Sequence, residues 1–140
     1  MAFNVLIVDD SWSMRSIIKK TIQISGFNVG EYFEGGNGKE ALEILNDAWV
    51  DVIVSDIHMP VMDGLDLLKV LQDHEMLKSI PVVMVTTEGR GSRVEEALSL
   101  GAKAYVQKPF TPEQIKETLL SVMGAGNVVD DKTDSSGCDF

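Results

Sequence analysis

A chain of 140 residues has the length of one ordinary domain, with enough material for a sizeable core. Its hydrophobic content of 44% against 24% charged residues is globular, and no apolar run approaches a membrane span. The formal net charge of −10 argues against non-specific binding to nucleic acid, whose phosphates would repel it, but leaves local cation binding open. The opening "MAFNVLIVDD" has no basic region before its apolar run, so it reads as a first strand rather than a signal peptide. The single cysteine, Cys138, excludes an internal disulfide and fits a reducing compartment, so the expected location is cytoplasmic.

Strand and helix patterns then alternate along the chain. "FNVLIV" is a short apolar run, followed by "SWSMRSIIKKTIQIS", where Met14, Ile17, Ile18 and Ile22 mark a helical stripe. Asp10 or Ser11 can cap that helix and Gly26 can end it. "NVGEYF" is the second strand, and "NGKEALEILNDA" a helix with Ala41, Leu45 and Ala48 on one face. "VDVIVSD" and "GLDLLKVLQDH" give the third pair, with Trp49 expected to pack at the junction before it. "IPVVMVTT" and "RVEEALSLG" give the fourth, with Val94, Ala97 and Leu98 facing inward. "AKAYVQK" is the fifth strand. "TPEQIKETLLSVM" is the fifth helix, capped by Thr111, with Pro112 at its first position.

Five strand–helix units in a short domain imply a parallel sheet covered on both faces, an α/β/α sandwich. The continuous aliphatic strands agree, because strands buried on both sides do not alternate. Residues 1–123 form this domain, and residues 124–140, Gly-, Ser- and Asp-rich without periodicity, read as a flexible acidic tail.

The polar residues fall at strand ends. The first strand ends in Asp9-Asp10, the third in Asp56, the fourth in Thr86-Thr87 and the fifth in Lys108-Pro109. Ligands of open doubly wound sheets bind outside these ends, where the strand order reverses. With the order 2-1-3-4-5, taken from known sheets of this kind, Asp9, Asp10 and Asp56 share one crevice flanked by Thr86 and Lys108. Singly, each has a plain structural reading: a cap for Asp10, a turn former for Asp56, a strand residue for Thr86, a solvated end for Lys108. Jointly, three carboxylates repel one another unless a cation is present, and oxygen-only ligation suits Mg²⁺. Such an ion beside one protruding carboxylate points to phosphoryl transfer, with Asp56 as nucleophile and Thr86 and Lys108 on the phosphoryl oxygens.

These residues resemble the receiver domains of two-component response regulators. The match lies in Asp9-Asp10, "SDIHMPVMDG" around Asp56, "MVTTEG" with Thr86 and "AYVQKPF" with Lys108, in order and at the proper strand ends. The resemblance implies a flavodoxin-like fold with the five-stranded order 2-1-3-4-5 and phosphorylation of Asp56 by a histidine kinase. It implies Mg²⁺ held by Asp10, Asp56 and the backbone carbonyl of His58, with Asp9 supporting through water. Thr86 and Tyr105 match the switch positions, and the Lys108-Pro109 bond is typically cis in the family. The fourth helix, fifth strand and fifth helix, about Arg90 to Met123, would form the output surface. His58 and Glu88 flank the expected path of the water that hydrolyses the acyl phosphate.

The tail is too short to fold alone, so a stand-alone regulator is expected. "MRSIIKK" and "IPVVMVTTEG" look most like the chemotaxis type, which binds the flagellar motor switch protein; a phosphorelay intermediate, working with a phosphotransfer protein, is the alternative. Such a switch is not a turnover enzyme, although it assists its own phosphorylation and dephosphorylation. Haloacid-dehalogenase-type phosphatases also use a strand-end Asp nucleophile with Mg²⁺. They place a second Asp two residues later, where this chain has His58.

Overall fold

The computed structural model of the chain describes residues 2–87, 91–124, 135–136 and 138–139. The aliphatic runs become β1 (Phe3–Val8), β2 (Val29–Gly35), β3 (Val52–Asp56), β4 (Val82–Thr86) and β5 (Ala104–Gln107). Between and after them lie α1 (Trp12–Ser25), α2 (Gly38–Asp47), α3 (Gly64–Gln72), α4 (Ser92–Ser99) and α5 (Pro112–Gly124). The sheet is parallel throughout and its order is β2-β1-β3-β4-β5. This is the flavodoxin-like, three-layer arrangement expected from the sequence.

Strand alternation sorts the apolar side chains into two cores. Leu6, Val8, Ile53 and Met84 join Ala41, Leu45, Leu68 and Val94 from α2, α3 and α4. Val5, Ile7, Val54 and Val85 join Ile18, Ile22, Ile115 and Leu119 from α1 and α5. The continuous hydrophobicity of the central strands is the signature of serving both.

Local signals set the helix ends. Ser11, rather than Asp10, caps α1, its Oγ accepting from Met14 N at 3.2 Å. Gly26 ends that helix at φ 84°, a left-handed conformation that costs glycine least. At α5, Thr111 Oγ1 accepts from Gln114 N at 3.1 Å and Gln114 Oε1 accepts from Thr111 N at 2.9 Å, a reciprocal capping box.

Three side chains face otherwise than periodicity suggests. Ile17 and Leu98 are exposed, while Ile18 and Ile22 of α1, with Met14 beside them, and Val94 and Ala97 of α4 face the sheet. Trp49 is also exposed, and its Nε1 donates to Asp51 Oδ1 at 2.9 Å. Helix α5 includes Gly124, where the tail was expected to begin. The expectation of a flexible tail falls mostly outside the described residues; within them, Ser135–Ser136 (β6) and Cys138–Asp139 (β7) form a two-residue parallel pair. No described helix is long and apolar enough to cross a membrane.

Candidate functional site

Strand register brings four strand ends to one edge of the sheet. Val8 of β1 lies opposite Ser55 of β3, so Asp9 and Asp56 leave the sheet as neighbours. Asp56 pairs with Val85, one residue before Thr86, and Thr86 pairs with Gln107, one residue before Lys108. Lys108 N donates to Thr86 O at 2.7 Å, which fixes the lysine beside β4. The Lys108-Pro109 bond is cis, as the resemblance implied.

At this edge one carboxylate oxygen from each of Asp9, Asp10 and Asp56 lies within 4.8 Å of the others. Asp9 is buried, Asp56 half-buried and Asp10 exposed. Lys108 Nζ stands 3.6 Å from Asp9 Oδ2 and 3.9 Å from Asp56 Oδ2. One ammonium therefore faces three carboxylates, and negative charge is in excess. Asp9 Oδ1 accepts from Ser11 N at 2.9 Å, but its buried Oδ2 has no hydrogen bond, only the ion pair with Lys108. Leaving a buried carboxylate oxygen so poorly satisfied is costly, and a further cation would supply what is missing. An all-oxygen donor set with one side open to water fits a hard ion such as Mg²⁺.

Asp56 carries the electrostatic imprint of this crowding. Burial pushes its carboxyl above the ordinary value; the Lys108 ammonium opposes that, the Asp9 charge adds to it, and the N–H groups of Ile57 and His58 pull it down. The Ile57 N–H donates to Asp56 Oδ1 at 2.7 Å.

The loop behind Asp56 is built by close backbone approach. Gly64 N donates to Ile57 O at 2.8 Å, and a Cβ on Gly64 would collide with the carbonyl oxygen of Asp56. Asp63 caps α3, its Oδ1 accepting from Asp66 N at 2.9 Å. Between Pro60 and Met62, Val61 adopts φ 69° in a tight turn closed by Met62 N to Pro60 O at 2.7 Å. A β-branched residue in the left-handed region is strained.

The remaining expected residues take distinct positions. His58 is exposed at the rim, and with Asp10, Met59, Pro60 and Asp63 it lines a shallow cavity. Thr86 is buried at the end of β4. Tyr105 lies opposite Met84 in the β4–β5 register, on the same sheet face as Thr86, half-buried against the core that includes α4. Glu88 lies outside the described residues. Sequence reasoning missed two arginines. Arg15 Nη1 donates to the Asp9 carbonyl oxygen at 2.6 Å, and its Nε pairs with Glu34 Oε1 at 3.0 Å. Arg93 Nη1 lies 3.4 Å from His58 Nδ1. Arg15 carried a usable signal, one helical turn after the cap Ser11 that follows the acidic pair; Arg93, 35 residues from His58, carried none.

Comparison with known proteins agrees with the geometry. A family model described as the response regulator receiver domain matches residues 5–120. The chemotaxis protein CheY1 of Helicobacter pylori is 42% identical over 124 residues, covering 88% of this chain and 98% of that protein. The chemotaxis protein CheY-3 of Vibrio cholerae is 41% identical over 115 residues, covering 82% of this chain and 87% of that one. The solved structure of Vibrio cholerae CheY4 is similar at TM-score 0.77 and 37% identity, covering 87% of this chain and 99% of that chain. The chain belongs to the response regulator receiver domain family, and within it to the CheY-like receivers.

Proposed function

We propose that Asp56 accepts a phosphoryl group from a partner histidine kinase and that the modified chain changes its binding to a downstream protein. As a CheY-like receiver the chain is a phosphorylation-dependent signalling switch rather than a turnover enzyme. The observation that carries the proposal is the meeting of Asp9, Asp10, Asp56 and Lys108 at adjoining strand ends, with Thr86 beside them.

In this reading Asp56 Oδ2 attacks phosphorus of a phosphohistidine. A P–O bond forms as the P–N bond breaks, and the imidazole leaves with the electron pair. The N–H groups of Ile57 and His58 hold the attacking carboxylate in place. The Lys108 ammonium, already within 3.9 Å of Asp56, takes one phosphoryl oxygen, and the Thr86 hydroxyl donates to another. Asp10, Asp56 and the His58 carbonyl would hold Mg²⁺, with Asp9 supporting through water; when bound, the ion neutralises developing phosphoryl charge. Hydrolysis reverses the modification: water attacks phosphorus, inorganic phosphate leaves and the carboxylate returns. His58 and Glu88 set how readily that water arrives.

Switching requires that the phosphoryl group favour one state over the other, since equal binding shifts nothing. Thr86 moves toward the phosphate, and Tyr105, on the same sheet face, turns inward behind it. The surface of α4, β5 and α5 then presents a new face to its target. The similarity to chemotaxis proteins supports the flagellar motor switch as that target, in the cytoplasm.

The test is incubation with Mg²⁺ and acetyl phosphate, with Asp56→Asn as control. Stoichiometric, acid-labile modification lost in Asp56→Asn is expected. Sustained multiple turnover would favour a phosphatase, and no response from a folded chain would favour a passive binding module.

A further inference from the structure

We infer that Arg93 is a positioning residue that holds the His58 imidazole over the mouth of the Asp56 site and so lengthens the life of the acyl phosphate. The inference deepens the receiver reading and rests on it for the phosphate. Arg93 is the second residue of α4, and its Nη1 lies 3.4 Å from His58 Nδ1. A guanidinium has donors only, so this contact requires Nδ1 as acceptor and places the ring proton on Nε2. The imidazole is thereby assigned one tautomer and one orientation.

Three further observations place this contact at the site. A cation in the first turn of a helix opposes the helix dipole, and Arg93 sits there on a helix whose cap, Gly91, makes no side-chain hydrogen bond. The helix dipole thus disfavours a cation at this position, whereas reach to the loop favours one. The N–H of the same His58 donates to the Asp56 carboxylate, so the residue that Arg93 grips is part of the acceptor's own cradle. The loop also contains the strained Val61, at φ 69°, and so needs tethering from outside. Arg93 provides a tether that comes directly from α4, bypassing Thr86 and Tyr105.

Two measurements test this. In alkaline buffer without phosphoryl donor, the ring nitrogens of His58 observed by NMR should show a single Nε2–H tautomer. Arg93→Ala should return a mixture, and identical ring spectra in the two proteins would overturn the inference whatever happens at Asp56. With acetyl phosphate removed after loading, Arg93→Ala should shorten the phosphate half-life about two- to tenfold, the worth of one hydrogen bond. His58→Ala should shorten it similarly, and adding Arg93→Ala to His58→Ala should change nothing more. Equal half-lives in wild type and Arg93→Ala, or the same Arg93→Ala effect with and without His58, would overturn the inference. A chain that shows the tautomer change but never labels at Asp56 would keep the contact and remove both the receiver reading and the lifetime role.

Discussion

Two aspartates stand at opposite ends of the central strands and are treated in opposite ways. Before β3, Asp51 has both oxygens satisfied: Oδ2 accepts from Asn4 N at 2.8 Å and Oδ1 from Trp49 Nε1 at 2.9 Å. After β1, Asp9 is buried with one oxygen lacking any hydrogen bond. The first carboxylate closes the chain around itself. The second keeps one buried oxygen with the Lys108 ammonium beside it and no hydrogen bond. The same residue type, flanking a central strand in both cases, is structural where its hydrogen bonds are complete and a candidate ligand where they are not.

The largest way to break this contrast is to disturb the tight backbone that carries Asp56. Gly64→Ala puts a Cβ against the Asp56 carbonyl oxygen, and overpacking of this kind costs about 3 kcal/mol. Urea denaturation should show that loss; a wild-type midpoint would mean that the loop yields easily. The next effect is that of Mg²⁺ on thermal stability. An ion bound only by the folded state adds about 2.7 kcal/mol at one hundred times its dissociation constant. That gain should survive Asp51→Ala and shrink in Asp56→Asn, and equal gains in both variants would place the ion elsewhere.

Asp51→Ala, without metal, should cost about 1 kcal/mol through the two lost hydrogen bonds. Asp56→Asn should have the opposite sign. Its raised carboxyl means that the folded chain holds this proton more tightly than the unfolded chain does. Stability from the group is then full below the ordinary carboxylate value of about 3.9 and is lost as pH rises through the raised value. Asp56→Asn removes that loss, so it should melt above wild type at neutral pH, the gap closing in acid. This smallest effect is the sharpest, since a lower melting temperature at neutral pH would show that Asp56 is as structural as Asp51.

The fold was legible because each strand is a short aliphatic run ended by a polar residue, a local pattern that register then aligns. The site was legible for the same reason, since Asp9, Asp56, Thr86 and Lys108 each mark a strand end. Facing was less legible. Ile17 and Ile18 are adjacent and chemically alike, yet only Ile18 is buried, because the angle at which α1 lies on the sheet is a tertiary matter. The Asn4–Asp51–Trp49 cluster and the Arg93–His58 contact join residues distant in the chain and left no periodic trace. Val61 gave no warning either, since valine is a residue type the left-handed region disfavours.

The sheet ends in two open edges, β2 and β5, and each carries a device against pairing with another chain. β5 is only four residues long and is followed, after Lys108, by Pro109, which lacks an N–H to offer. β2 is longer but presents exposed Glu31 and Glu34, the latter clasped by Arg15 and Lys19 at 3.0 and 3.9 Å. An edge so charged is a poor template for strand addition. Part of the chain's net charge of −10 thus sits on an open sheet edge, where it discourages copies from pairing when they crowd together.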